Sequence, residues 1–209
     1  MSQSERPRNL QKELEEIIKT SEASGIRPKL LLHVCCAPCS SYCLEYLEKY
    51  FDITVFFANS NIDDPGEYEK RREEERRLLT QMPLRRHIDM LEGPYDPDEY
   101  HQLVSGHELD PEGGERCGIC FEMRLDQAAR EAARIGADYF TTSLSISPLK
   151  NAARLCAIGE AAGQRHGVPY LPSDFKKKDG YKRSIELSHE YGLYRQNYCG
   201  CSYSKAQSR

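Results

Sequence analysis

The amino-acid sequence predicts an α/β protein with a doubly wound, mainly parallel sheet. Apolar runs of strand length alternate along the chain with segments of helical character, and the intervals between the runs suit right-handed crossovers. The first run is almost continuously apolar, as expected for a strand that is buried on both faces. At 209 residues the chain can form one sizeable hydrophobic core, so we expect a single domain.

Residues 1–28 are predicted to form an N-terminal helical extension. Leu10, Leu14 and Ile17 give a short amphipathic stripe, and a segment containing Ser, Gly and Pro follows it. We therefore expect a helix that leans on the core, and we assign residues 29–209 to the main α/β domain.

The first two predicted strands are the clearest. Lys29–Cys35 (KLLLHVC) is expected in the interior of the sheet, and a short turn then leads to a helix near Cys39–Tyr50. His33, inside the first strand, is interpreted as a core histidine and not as a metal ligand. Ile53–Asn59 (ITVFFAN) repeats the pattern as the second strand.

The next helix begins with a capping signal. Asp64 and Pro65 have the pattern of an N-cap followed by a first-turn proline, and the helix is predicted to continue to Gln81. Its mixed Glu/Arg run, 67–77, is expected to be a solvated face. A third strand is predicted near Arg85–Met90.

Glu115–Ile135 is the strongest helix prediction. Its apolar residues recur at spacings of four, four, three, four and three, so that one face must be buried, and Gly136 is a natural stop. The remaining predicted elements are a strand at Ala137–Ser145, a helix near Asn151–His166 and a short strand at Val168–Leu171.

The chain has nine cysteines but no apolar export signal and no run long enough to span a bilayer. We therefore expect a cytoplasmic protein with no membrane contact, whose thiols serve metal or redox chemistry and do not form structural disulfides. Cys43 and Cys156 lie alone in predicted helices and are expected to be core residues. The clustered cysteines, which form the candidate ligand set, are Cys35, Cys36, Cys39, Cys117, Cys120, Cys199 and Cys201.

These clusters fall at structurally meaningful places. Cys35 and its neighbours lie at a strand-to-helix turn, where backbone N–H groups can donate to thiolates or to cluster sulfide. Cys117 and Cys120 are three residues apart at a helix start, so that both sulfurs point the same way. The second strand runs into Asn59 and Asn61, which are candidate substrate contacts beyond the carboxyl ends of the strands.

Thiolate sites of this kind suit zinc as well as iron–sulfur clusters. The clustered cysteines are spread over more than 160 residues, and seven sulfurs exceed what one zinc ion can use, so an iron–sulfur site is favoured. A zinc-stabilised RNA-binding module without catalysis is the alternative. An adenylating enzyme on a similar sheet is disfavoured, since no glycine-rich phosphate loop is present.

The net charge of −4 is unevenly distributed. Residues 174–209 carry eight Lys or Arg against four Asp or Glu, which leaves +4 there and −8 elsewhere. This segment also contains five tyrosines, a combination suited to RNA phosphates and bases, although a solvated basic surface fits equally well. The candidate phosphate contacts are Lys176, Lys177, Lys178, Lys182 and Arg183.

Between about Lys29 and Ser204 the chain resembles the cobalamin-independent epoxyqueuosine reductase family, QueH. The motifs that carry the resemblance are LLHVCCAPCSS, ANSNIDDPGEYEKR, ERCGICFEMRL, TTSLSISPLKN and YLPSDFKKKDGYKRSIELSHEYGLYRQNYCGCSYS. The predicted sheet would then be a three-layer sandwich of the HUP-like, adenine nucleotide alpha hydrolase-like type. The implied activity is two-electron removal of the epoxide oxygen of epoxyqueuosine at the tRNA wobble position, which gives queuosine.

The resemblance also implies the cofactor and the partners. A [4Fe-4S] cluster is expected on Cys35, Cys36, Cys117 and Cys120. Cys199 and Cys201 match a C-terminal CGC pair that acts either as a redox-active disulfide or as ligands of a second iron. We favour the second iron, because Cys39 supplies a third sulfur that otherwise lacks a role. The expected partners are a tRNA and a one-electron donor such as ferredoxin or flavodoxin.

Overall fold

The computed structural model describes residues 8–208 and confirms the predicted fold class, a parallel sheet with helices on both faces. The strand order is β3-β2-β1-β4, and every pairing between neighbours is parallel. Because the chain moves outward from β1 to β3 and then returns to the other side of β1, the strand order reverses between β1 and β4. The strands are β1 (Lys29–Val34), β2 (Asp52–Phe57), β3 (Asp89–Glu92) and β4 (Tyr139–Thr142).

Two helical layers enclose this sheet. In the described range the helices are α1 (Leu10–Ala23), α2 (Ala37–Leu47), α3 (Pro65–Gln81), α4 (Pro97–Leu103), α5 (Glu115–Arg134), α6 (Ala152–His166), α7 (Gly180–Glu190) and α8 (Ser202–Gln207). α2 packs against α3 and α7 on one face, and α5 packs against α6 on the other. None of the helices within residues 8–208 is both long enough and apolar enough to cross a membrane.

The central strand β1 is buried on both faces because alternate side chains enter opposite layers. Leu30 and Leu32 belong to the core on the α2 side, whereas Leu31 packs with Phe121 and Leu125 of α5. Burial on both faces therefore explains the nearly unbroken apolar sequence of this strand. The packed strand also fixes the position of the turn that follows it.

His33 is a core histidine, as predicted. The side chain is fully buried, with Nδ1 2.8 Å from Thr142 Oγ1 and Nε2 3.2 Å from the carbonyl oxygen of Ala58. Burial lowers its pKa to about 3, so the imidazole is neutral at physiological pH. It links β1 to β4 and to the end of β2.

The N-terminal helix forms, with one change in its buried stripe. Leu10, Leu14 and Ile18 are buried, whereas Ile17 is only partly covered. The first seven residues of the predicted extension lie outside the described residues.

Two strand predictions need correction. The third strand is Asp89–Glu92, which starts later than the predicted Arg85–Met90, because Arg85 and Arg86 turn back to form ion pairs beside β2. The predicted strand Val168–Leu171 is wrong, since only one bridge forms there, between Phe140 and Tyr170. The prolines at 169 and 172 have no N–H to extend the ladder.

The expectation of a solvated Glu/Arg face on α3 is also wrong for two residues. Arg71 and Glu75 are completely buried. With Tyr68 and Leu78 they form a stripe at spacings of three, four and three, which is the inner side of α3. Charged side chains therefore lie inside the protein, close to the cysteine-bearing turn.

Candidate metal centre and adjoining cleft

Three cysteines converge where β1 meets α2. Cys35 and Cys36 follow the strand, and Cys36 is the N-cap of α2, whose first turn contains Pro38. The sulfurs of Cys35, Cys36 and Cys39 all lie within 4.8 Å of one another, and the first two are 3.8 Å apart. Within residues 8–208 this is the only group of three or more ligand atoms so close together. Such a convergence of thiols can hold a metal.

The second pair of cysteines is at the start of α5. Cys117 accepts a hydrogen bond from the backbone N–H of Gly113 at 3.2 Å and packs in the same cluster as Cys35. Cys120 is buried beside Cys201. These sulfurs lie outside the 4.8 Å group. A four-iron cluster binds each thiolate to a different iron, so cysteines from separate segments of the chain can serve it together, and the cysteine groups are compatible with such a cluster.

An arginine of α3 holds the C-terminal CGC segment, residues 199–201, in place. Arg71 donates from Nη1 to the carbonyl oxygen of Cys199 at 2.9 Å. Gly200 has φ +142°, a conformation that favours glycine, and a Cβ there would lie 2.9 Å from Ile62. The glycine between the two cysteines is therefore a requirement of the backbone path, which the cysteine spacing alone does not indicate.

Further bonds fix both flanks of this segment. The N–H of Cys199 donates to Ser204 Oγ at 3.1 Å, and Cys201 caps α8 by accepting from the N–H of Ser204 at 3.4 Å. The Asp63 carboxylate accepts from the N–H of Ser202 at 2.9 and 3.0 Å. All nine cysteines of the chain are free thiols in this structure.

Three fully buried arginines surround the cysteine groups: Arg71, Arg116 and Arg124. Arg124 Nη1 is 4.0 Å from the sulfur of Cys120, and Arg116 donates to three backbone carbonyls of the 107–110 loop. Each guanidinium also keeps at least one buried nitrogen without a hydrogen-bond partner in the described structure. Arg71 pairs with Glu67 at 2.7 Å, whereas Arg116 and Arg124 have no ion pair within the described residues. Buried positive charge is costly unless it is compensated, and an anionic thiolate–metal centre would compensate it. The surroundings therefore fit a negatively charged cofactor.

The thiols differ in acidity. Burial raises the pKa of Cys120 to about 12, and the contact with Cys35 raises the pKa of Cys36 to about 12. The same contact lowers the pKa of Cys35. Metal binding at this site must therefore displace protons from at least two of these thiols.

A cleft of about 270 Å³ opens beside the first cysteine group. Cys35, Cys39 and Cys199 lie on it, together with Lys150 and Tyr181. The segment after β4 also lines it, so the cleft lies where the strand order reverses, which is the usual ligand position in doubly wound folds. Its volume is close to the lower limit for small-molecule sites.

The two asparagines that follow β2 have different surroundings. Asn59 donates from Nδ2 to the carbonyl oxygen of Val34 at 2.9 Å and accepts from Arg124 at 2.6 Å. Asn61 is buried, and its Oδ1 has no partner in the described structure. Neither asparagine lines the cleft. Asn59 therefore joins β1, β2 and α5 beneath the site.

The basic segment divides into engaged and free cations. Lys176 donates to the carbonyl oxygens of Ser145 and Lys150 at 2.9 and 3.2 Å and pairs with Asp174. Lys178 pairs with Glu15, and Arg183 pairs with Glu45. Of the five candidate phosphate contacts, Lys177 and Lys182 are the two that are exposed and have no ion pair within the described residues. Elsewhere in the basic segment, residues 174–209, Arg195 is also exposed without an ion pair, but it donates to the Ser184 carbonyl and to Ser188 Oγ.

Comparison with known proteins agrees with these features. A family model described as epoxyqueuosine reductase QueH matches residues 30–207. The epoxyqueuosine reductase QueH of Streptococcus pyogenes serotype M1 is 44% identical over 198 residues, covering 94% of this chain and 78% of that protein. The protein of the same name from Staphylococcus aureus strain Mu50 is 43% identical over 203 residues, with coverage of 95% and 85%.

A more distant relative has a similar extent. The epoxyqueuosine reductase QueH of Thermotoga maritima is 35% identical over 186 residues, covering 86% of this chain and 92% of that protein. The residues that the family model matches, 30–207, include almost the whole sheet, the three cysteine groups and most of the basic segment. The chain belongs to the QueH family of epoxyqueuosine reductases.

Proposed function

We propose that this chain is an iron–sulfur oxidoreductase that reduces epoxyqueuosine at the wobble position of tRNA to queuosine. The observation that carries the proposal is the convergence of Cys35, Cys36 and Cys39 on a cleft at the reversal of strand order. The names of the relatives support the substrate. Family membership also speaks against the zinc-stabilised RNA-binding module.

The reaction sets clear chemical requirements. Loss of the epoxide oxygen as water takes two electrons and two protons. A low-potential one-electron donor of the ferredoxin or flavodoxin class would supply the electrons in two steps. Lys150 and Tyr198 line the cleft and can donate hydrogen bonds to a substrate oxygen.

A [4Fe-4S] cluster is proposed on Cys35, Cys36, Cys117 and Cys120. When bound, such a cluster transfers electrons one at a time. The protein excludes water from this region, since Cys36 and Cys120 are buried. The guanidinium of Arg124 provides fixed positive charge near the thiolates.

A second iron is proposed on Cys39, Cys199 and Cys201. Cys39 and Cys199 both line the cleft, so a metal held by them would be next to the substrate. Arg71 and Gly200 orient the C-terminal pair for this role, through the bond to the Cys199 carbonyl and the backbone path between the cysteines.

The two free lysines, Lys177 and Lys182, are proposed to contact tRNA phosphates. Lys176 is instead a positioning residue, because its ammonium group holds the segment after β4 against the start of the basic segment.

The proposal is tested by a single-turnover assay under anaerobic conditions. Iron-loaded protein, reduced chemically, is incubated with tRNA that carries epoxyqueuosine, and the nucleosides are analysed after digestion. With one tRNA per iron-loaded chain and enough reductant to deliver two electrons, we expect about one queuosine per chain, and none with Cys36→Ala protein. An iron-loaded, reduced wild-type protein that leaves the epoxide intact would contradict the proposed function.

A further inference from the structure

Few large apolar side chains are exposed in this protein. Among residues 8–208 they are Ile26, Leu103, Leu109, Leu149 and Tyr181. Two of the five, Leu149 at 70% exposure and Tyr181 at 37%, line the same cleft beside the cysteines. Exposed apolar groups that are gathered at one site usually mark a binding surface.

Both residues stand on rigid supports. The N–H of Leu149 donates to Ser147 Oγ at 3.3 Å, and Lys176 holds the carbonyls of Ser145 and Lys150 on either side. The segment that carries Leu149 is therefore fixed even though its side chain is exposed. This exposure is a property of the fold and not of a loose loop.

Tyr181 is equally constrained. It follows Gly180, where a Cβ would lie 2.0 Å from the carbonyl oxygen of Phe175 and 2.4 Å from the ring of Tyr42. α7 can therefore approach α2 only with glycine at this position. The close approach of α7 to α2 fixes the position of Tyr181 in the first turn of α7.

Positive charge adjoins the aromatic ring. Lys182 is the next residue, Lys177 lies four residues before the ring, and both are exposed and free of ion pairs within the described residues. An aromatic and aliphatic surface beside free lysines matches an unpaired nucleotide, because every base has a π-face and every nucleotide a phosphate. A protein electron donor would also meet the lysines, but it would not need an aromatic ring at the cleft.

We propose that Leu149 and Tyr181 form a base-binding rim, in which the Tyr181 ring stacks on an unpaired anticodon-loop base next to the target nucleotide and Leu149 packs against that base. The inference rests on the proposed tRNA substrate. The rim would keep the loop open while the target base occupies the cleft beside Cys35 and Cys199.

The test measures binding of an unmodified anticodon stem–loop RNA by fluorescence anisotropy at fixed salt. Tyr181→Ala should weaken binding roughly five- to hundredfold, since stacking on one base has that value. Leu149→Ser should weaken it in the same direction. Tyr181→Phe should bind like the wild type, because it keeps the ring. Ile26→Ser is the matched control, since Ile26 is exposed but precedes β1, at the opposite end of the strands.

The outcomes separate this inference from the proposed function. Unchanged RNA binding by Tyr181→Ala protein with a full iron content would overturn the rim. Slower reduction by a protein donor with unchanged RNA binding would also overturn it, because the surface would then serve the donor. Equal weakening by Tyr181→Phe would exclude stacking. Failure of wild-type protein to form queuosine, with the binding pattern as expected, would reject the reaction and leave the rim standing.

Discussion

Arg124 donates a hydrogen bond from Nη2 to Oδ1 of Asn59 over 2.6 Å, and both side chains are completely buried. The bond joins α5, which carries Cys117 and Cys120, to the end of β2. Because Asn59 also donates to the carbonyl of Val34, this contact sets the position of α5 relative to the cysteine turn.

Arg124→Met should make the midpoint potential of the proposed cluster more negative, because a fixed positive charge near its thiolates is lost. Asn59→Ala breaks the same hydrogen bond but keeps the charge. That variant should lose about 1 to 3 kcal/mol of stability with little change in potential. Anaerobic redox titration and urea unfolding measure the two effects. Equal shifts of potential in both variants would contradict an electrostatic role for Arg124.

Replacing Cys117 or Cys120 by Ala should remove most of the iron and sulfide, because one iron loses its thiolate. Cys43→Ala and Cys156→Ala are the controls, since both cysteines are buried within helices. Iron and acid-labile sulfide are assayed after anaerobic purification. A full cofactor content in Cys117→Ala protein would show that α5 is not a ligand helix.

The number of irons bound per chain distinguishes the two roles considered for Cys199 and Cys201. If Cys199 and Cys201 bind a second iron, wild-type protein should contain about five irons and Cys201→Ala about four, with the cluster absorbance retained. Gly200→Ala should behave like Cys201→Ala, since the added Cβ would collide with Ile62 and strain the backbone. If the pair is a redox disulfide, both counts should be about four.

The free lysines should determine the salt dependence of tRNA binding. Replacing Lys177 and Lys182 together by Ala should reduce the slope of log affinity against log salt by about 0.7 per lost phosphate contact. Lys178→Ala is the control, because Lys178 is already paired with Glu15. An unaltered slope in the double variant would assign these lysines to an ordinary solvated surface.

Glu75 should make stability depend on pH. Burial raises the pKa of its carboxyl from 4.5 to about 8, so the folded protein holds a proton that the unfolded chain releases. Stability should therefore fall as pH rises from about 4.5 to about 8, by up to a few kcal/mol. Glu75→Gln should remove this slope and Glu73→Gln, which is exposed, should not. Urea unfolding at several pH values provides the test, and a slope that survives Glu75→Gln would refute it.

The elements that the sequence predicted well are those with a regular apolar pattern. α5 begins at the predicted Glu115 and ends one residue before the predicted Ile135, because apolar residues recur along the whole length of its inner face, although Arg116 and Arg124 are buried among them. No helix was predicted over α7, because Ser184 and Ser188 occupy much of its buried side. Small polar residues that allow close helix packing give no hydrophobic periodicity.

The cysteine groups were visible in the sequence because cysteine is rare and these are clustered. The buried arginines were not, since a charged residue gives no sign of burial by itself. For Arg71 one signal was available: it occupies the same helical face as Tyr68 and Leu78. Arg124 gave the same signal, since it lies three residues after Phe121 and four before Ala128, but only the tertiary structure shows its partner Asn59.

Three distant parts of the chain contribute cysteines to one region, and this has a consequence for protein lifetime. If the proposed metal centre joins Cys36 to Cys117, it ties off a loop of about 80 residues, which contains α2, β2, α3, β3 and α4. Cross-links around loops of that length stabilise a fold by about 4 to 5 kcal/mol in the chain-entropy model. Chains made during iron starvation would lack this tether, open more often and be cleared by proteases, so that enzyme abundance would follow the iron supply.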